Sequence, residues 1–154
     1  MEQKKSEDGE TEKQASHLVP DSSVVIKWFS QEEGTEIALK IRKNFLEGKI
    51  NIVVPDIQIY EIANALRYNR VFQERDVKGA IKSLIDLGLN IFVPTKDVIE
   101  KAVEVSFKYN VSFYDAYFVA LARTLNFLFV TADEKLYDKL STLEFVKLLK
   151  NLEI

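Results

Sequence analysis

Four acids in this chain, Asp21, Glu61, Asp115 and Asp133, are spaced so that their carboxylates could share one crevice. Asp21 and Asp133 follow short apolar runs, LVP and FLFV, which read as strands covered on both faces. Glu61 and Asp115 fall within the first two turns of helices with apolar stripes. Ligands of open parallel sheets bind beyond the carboxyl ends of the strands, and all four acids are expected at that edge. Like charges brought together raise one another's pKa, so such a cluster calls for a bound cation. With no cysteine and only oxygen donors, that cation would be Mg²⁺ or Mn²⁺, one ion or two.

Each acid taken alone has an ordinary explanation. Asp21 and Asp133 suit helix N-caps, Ser112 with Asp115 matches a capping box, and Glu61 fits a solvated helix position. Only their joint placement argues for chemistry. Asp56 and Asp97 also follow strands, but both stand immediately before helices and are read as caps.

The elements that must position these residues alternate. Strands are expected near 18–20, 50–54, 91–93 and 127–130, and 145–149 reads as an edge strand or a helix, with the strand favoured. Helices are expected over 22–29, 37–46, 59–66, 76–87, 98–107, 113–125 and 134–140. This order predicts an α/β three-layer sandwich, a central and mainly parallel sheet with helices on both faces. Residues 1–16 mix Glu, Lys, Gln and Ser without periodicity and are expected to be a disordered charged tail, leaving 17–154 as a single domain.

Composition narrows the function. Hydrophobic residues at 47% and charged residues at 29% fit a soluble globular protein. No apolar run is long enough for a membrane span and the first residues lack a secretory apolar core, so a cytoplasmic protein is expected. His17, at the end of the tail, is expected to be exposed and argues against zinc. The net charge of −3 is not a basic signature, but most of it lies in the tail, and cations at the acids would leave the rest positive. The chain has no Gly-rich phosphate loop, nucleophile elbow or dinucleotide fingerprint.

The segments PDSSVVIKWF, YEIANAL, SFYDAYFVALA and FVTADEKL, in this order and spacing, resemble the PIN-domain ribonucleases, in particular the VapC-type toxins of toxin–antitoxin pairs. The resemblance spans about residues 18–150. It implies a metal pocket formed by Asp21, Glu61, Asp115 and Asp133, with Ser23 and Thr131 as small hydroxyl positions beside it and Asn64 one turn after the glutamate. It further implies a divalent-metal-dependent endoribonuclease, the toxin of a type II pair, that forms a homodimer and is held inactive by an antitoxin. Two other functions share the fold: a housekeeping RNA-processing nuclease, and a non-catalytic module that binds RNA or protein. Phosphates need positive partners, for which Lys27, Arg67, Arg70 and Arg123 are candidates, while Tyr60, Tyr68 and Tyr114 could stack bases or pack in a core or dimer contact.

Overall fold

A computed structural model describes residues 16–154. The expected tail, apart from Ser16, lies outside the described residues. Among the described residues five strands form one sheet: β1 (Ser16–Pro20), β2 (Ile50–Pro55), β3 (Asn90–Phe92), β4 (Leu128–Thr131) and β5 (Val146–Leu148). Their spatial order is β3-β2-β1-β4-β5 and every pairing is parallel, so the sheet is wholly rather than mainly parallel.

Between β1 and β2 run α1 (Ser22–Val25), a 3-10 turn (Ile26–Trp28) and α2 (Thr35–Leu46). The β2–β3 connection holds α3 (Ile57–Tyr68) and α4 (Glu74–Asp86), and β3–β4 holds α5 (Lys96–Tyr109) and α6 (Phe113–Leu125). Helix α7 (Glu134–Leu140) leads to β5, and a 3-10 turn (Leu149–Asn151) follows it. The chain thus winds from β1 out to β3, then returns to lay β4 on the other side of β1. The order reverses between β1 and β4.

Alternation along the strands builds two cores. Leu18, Ile52, Val54 and Val130 face one layer with residues of α1 to α4, whereas Val19, Phe129 and Val146 face the other with α5, α6 and α7. Both faces are apolar because both are covered, which gives the three layers. In helix α6 residues 116–122 are all buried, and three alanines among them let it lie close against α5 and the sheet.

Several boundaries differ from the sequence expectation. The first helix holds only four residues before tightening into the 3-10 turn, where the Trp28 indole donates to the Ala38 carbonyl at 2.8 Å. Helix α4 starts two residues earlier than periodicity indicated, because Gln73 and Asp76 form a capping box that apolar spacing does not register. His17 belongs to β1 rather than to a tail; it is exposed as expected and stacks on Phe127, ring centroids 4.7 Å apart.

Candidate active site

The reversal between β1 and β4 brings two of the predicted acids together. The Asp21 amide donates to the Val130 carbonyl at 2.9 Å, so Asp21 leaves β1 directly beside the end of β4. Asp133 stands two residues past the end of β4, and α7 begins after it. Helix α3 starts at this same edge because it follows the end of β2, and α6 starts there because it runs back to the beginning of β4; they carry Glu61 and Asp115 in their first two turns.

A web of hydroxyls holds the floor. One Asp21 carboxylate oxygen accepts from the Ser23 amide at 3.0 Å and from the Ser23 hydroxyl. Ser23 Oγ also accepts from the Ala132 amide at 2.9 Å and lies 3.4 Å from Thr131 Oγ1, which in turn accepts from the Asp133 amide at 3.1 Å. Ser23 and Thr131 therefore tie the end of β1 to the end of β4. Glu61 Oε1 accepts from the Ser22 hydroxyl at 2.9 Å, linking α3 to the same turn.

Electrostatics joins the four acids. Asp21, 5% exposed, is pushed up to about 7, mainly by burial, and the charge of Asp115 adds to the effect. Burial and Asp115 also raise Glu61. Asp115 itself is raised, by burial first and then by the charge of Asp133, while the Ser112 side chain and, less strongly, Lys139 oppose this. Asp115 is thus the acid through which the other three interact. They meet through charge rather than direct contact: among the described residues no three acidic or histidine side chains already converge as a metal-ligating group. The donor set still fits a hard divalent cation, being all oxygen, partly buried and mutually repulsive, with His17 at the opposite end of β1.

Capping separates the acids that sequence alone had treated alike. Asp21 and Asp133 do cap α1 and α7, and Asp133 Oδ1 accepts from the Leu136 amide at 3.1 Å. The expected capping box of α6 is only half made. Ser112 Oγ accepts from the Asp115 amide at 3.1 Å, but no return bond from the Ser112 amide to the Asp115 carboxylate forms. Asp56 stands at the N-cap of α3 without making a side-chain cap bond; its charge instead helps burial push the Tyr117 hydroxyl up to about 12. Asp97 lies inside α5, where Thr95 is the cap, and pairs with Lys101 at 3.0 Å. Neither acid is a cap of the kind its position suggested.

The predicted cations are scattered. Lys27 is largely covered and bonded to Glu32 at 2.9 Å. It lines a cleft of about 330 Å³ that also holds Ala132 and Glu134, the neighbours of Asp133. Arg67 and Arg123 occupy the last turns of α3 and α6, roughly 9 and 12 Å farther along the axes than Glu61 and Asp115 at 1.5 Å per residue. Arg70 lies beyond the end of α3, and the exposed Asn64 side chain is not drawn into the hydroxyl web. Tyr60 and Tyr114 are exposed next to Glu61 and Asp115, while Tyr68 is exposed at the far end of α3. The largest cavity described, about 810 Å³ and mostly apolar, lies between α3 and α4 and holds none of the four acids.

Three contributors were not singled out by sequence reasoning. These are Ser22, Lys139 and Gln58. Each acts across 20 or more positions of chain, on Glu61, Asp115 and the Pro20 carbonyl, so local pattern carries no signal for them.

A doubly wound parallel sheet with Asp21 and Asp133 at adjacent strand ends, where the strand order reverses, belongs to the class of α/β folds whose ligands bind at that edge. The family pattern described as PIN domain matches residues 18–140, and this chain belongs to the PIN-domain family. Solved structures share its fold. A toxin–antitoxin complex from Klebsiella pneumoniae aligns at 19% identity over 89% of this chain and 99% of that one, with a TM-score of 0.61. PAE2754 from Pyrobaculum aerophilum aligns at 17% identity over 88% and 92%, TM-score 0.63. The Mycobacterium tuberculosis toxin VapC20, described as cleaving the sarcin-ricin loop, aligns at 16% identity over 79% and 93%, TM-score 0.61. A comparison with curated protein sequences returns no match.

Proposed function

We propose that residues 17–154 form a divalent-metal-dependent endoribonuclease, the toxin of a toxin–antitoxin pair, with Asp21, Glu61, Asp115 and Asp133 as its metal-binding and catalytic acids. The observation that carries this reading is the coupling of all four carboxyl groups through Asp115 at the strand-order reversal, with Asp21 buried among them and pushed up to about 7. A fold that needed only helix caps has no reason to bring a half-buried Glu61 and a non-capping Asp115 to that edge.

The four carboxylates would hold Mg²⁺ or Mn²⁺, which would supply positive charge for activating water and for stabilising the phosphate. The chain's own residues do the rest. Ser23 and Thr131 fix Asp21 and Asp133 on adjacent strand ends, and Ser22 orients Glu61. Asp115 joins the other three from α6, its carboxyl held above the ordinary value by burial and by the charge of Asp133. Lys27, beside the cleft next to Asp133, is the predicted cation best placed for a substrate phosphate, whereas Arg67 and Arg123 are directed to the other edge.

The toxin reading is supported by the solved toxin–antitoxin complexes that share the fold. We include in it an antitoxin that covers the acidic groove and a homodimeric toxin. The test is cleavage of a single-stranded RNA by the purified protein with Mn²⁺ or Mg²⁺. Cutting should stop with EDTA, return on adding metal, and be lost in Asp115→Asn. Cleavage that persists in EDTA, or in Asp115→Asn, would refute the assignment.

A further inference from the structure

Two prolines interrupt the sheet at the point where Asp21 leaves it. The β1–β2 register pairs Leu18 with Ile52, and carrying it on by two residues sets Pro20 opposite Val54. The Asp21 amide points toward β4, since it donates to Val130, so the Pro20 carbonyl on the same peptide points the other way, toward β2. In a parallel ladder that carbonyl would accept from the amide of residue 55, and the amide of residue 20 would donate to residue 53. Positions 20 and 55 are both proline and have no N–H to give. The recorded pairing accordingly ends at Leu18 and Ile52.

Gln58 fills the gap. Its side chain, 0% exposed on the first turn of α3, donates from Nε2 to the Pro20 carbonyl at 2.7 Å. Its Oε1 is buried without a hydrogen-bond partner among the described residues. Half of the amide is therefore buried at a cost that an apolar side chain of equal volume would avoid. What such a side chain could not do is donate to Pro20, and the same helix carries Glu61 less than one turn later.

We infer that Gln58 is a positioning residue: it replaces the ladder donor that Pro20 and Pro55 lack, and so fixes the peptide that aims Asp21 and ties α3, with Glu61, to the end of β1. The geometric part stands on the hydrogen bond alone. Its consequence for metal binding rests on the function proposed above.

The experiment compares wild-type protein with Gln58→Met, which keeps the volume and removes the donor. Amide hydrogen exchange is followed by NMR at Asp21, with Val119 in α6 as an internal reference. The Asp21 amide should exchange about tenfold faster in the variant with Val119 unchanged, and the Mn²⁺ dissociation constant should rise by about tenfold, as for other groups that orient metal ligands. Equal protection of Asp21 in both proteins, or a drop shared by Val119, would make Gln58 ordinary packing and overturn the inference. Should Gln58→Met fail to fold, it is combined with Pro55→Ala, which restores a backbone donor at position 55. Recovery of folding and of Asp21 protection is expected, and a double variant no better than the single one also overturns the inference. If wild-type protein neither binds Mn²⁺ nor cuts RNA, the metal reading fails, while Asp21 exchange still decides the role of Gln58.

Discussion

Asp21 is where burial and chemistry conflict most. Its carboxyl has an ordinary value of 3.8 and is pushed up to about 7 in the fold, so the native state holds a proton that the unfolded chain has already released. Stability associated with Asp21 is therefore full below the ordinary value and is lost as pH rises through about 7. Glu61 and Asp115, raised in the same direction, add to the trend. Thermal melts of EDTA-treated protein should show the melting temperature falling between about pH 5 and pH 7.5. The slope should flatten in Asp21→Asn. With Mn²⁺ present the fall should shrink, because cation and proton compete for the same oxygens and the cation gains as pH rises. A melting temperature that rises over this range in EDTA would contradict the burial of a proton-holding Asp21.

Among the elements, α6 and α7 begin at the same edge with an acid each, yet they use those acids differently. Asp133 is the N-cap of α7, whereas Ser112 is the N-cap of α6 and Asp115 makes no return bond. Asp133→Ala should cost about 0.5–2 kcal/mol of stability, and Asp133→Asn much less, since asparagine caps as well as aspartate. Asp115→Ala should leave the metal-free protein as stable or slightly more so, because it removes the charge that raises both Asp21 and Glu61. All three substitutions should abolish cleavage. Urea unfolding in EDTA beside an RNA assay checks this pattern, and an Asp115→Ala protein weakened as much as Asp133→Ala would return Asp115 to a capping role.

At the scale of the whole molecule, the site is a junction of parts that otherwise pack separately. Asp21 lies between the two apolar cores, Glu61 comes from the α1–α4 layer, and Asp115 and Asp133 come from the α5–α7 side. A cation bound by all four would bridge both layers and bind only the folded chain. Saturating Mn²⁺ at about 100 times its dissociation constant should thus add roughly 2.7 kcal/mol to unfolding at neutral pH. Calorimetry over a Mn²⁺ series reads this gain, which should vanish in Asp21→Asn. A gain that survives the substitution would place the ion elsewhere. Among the described residues no helix is long and apolar enough to cross a membrane.

The sequence by itself determined the layered α/β plan, because Leu18, Val19, Phe129 and Val130 are apolar on both strand faces and only a doubly covered parallel sheet tolerates that. It also marked the four acids, since Asp21 and Asp133 follow strands, and Glu61 and Asp115 fall within the first two turns of helices, that periodicity can find. What only the tertiary structure decided depends on groups distant in sequence: the strand order that sets β1 beside β4, the Ser22 bond to Glu61 across 39 positions, and the Gln58 amide beneath Asp21. The same limit bears on the placing of the cations and on the caps expected at Asp56 and Asp97. A spacing of two turns told that Arg123 shares a helix with Asp115, but only the direction of α6 across the sheet shows that the arginine ends at the other edge. Hydrogen bonds and helix direction act through space, and a linear pattern records only what repeats along the chain.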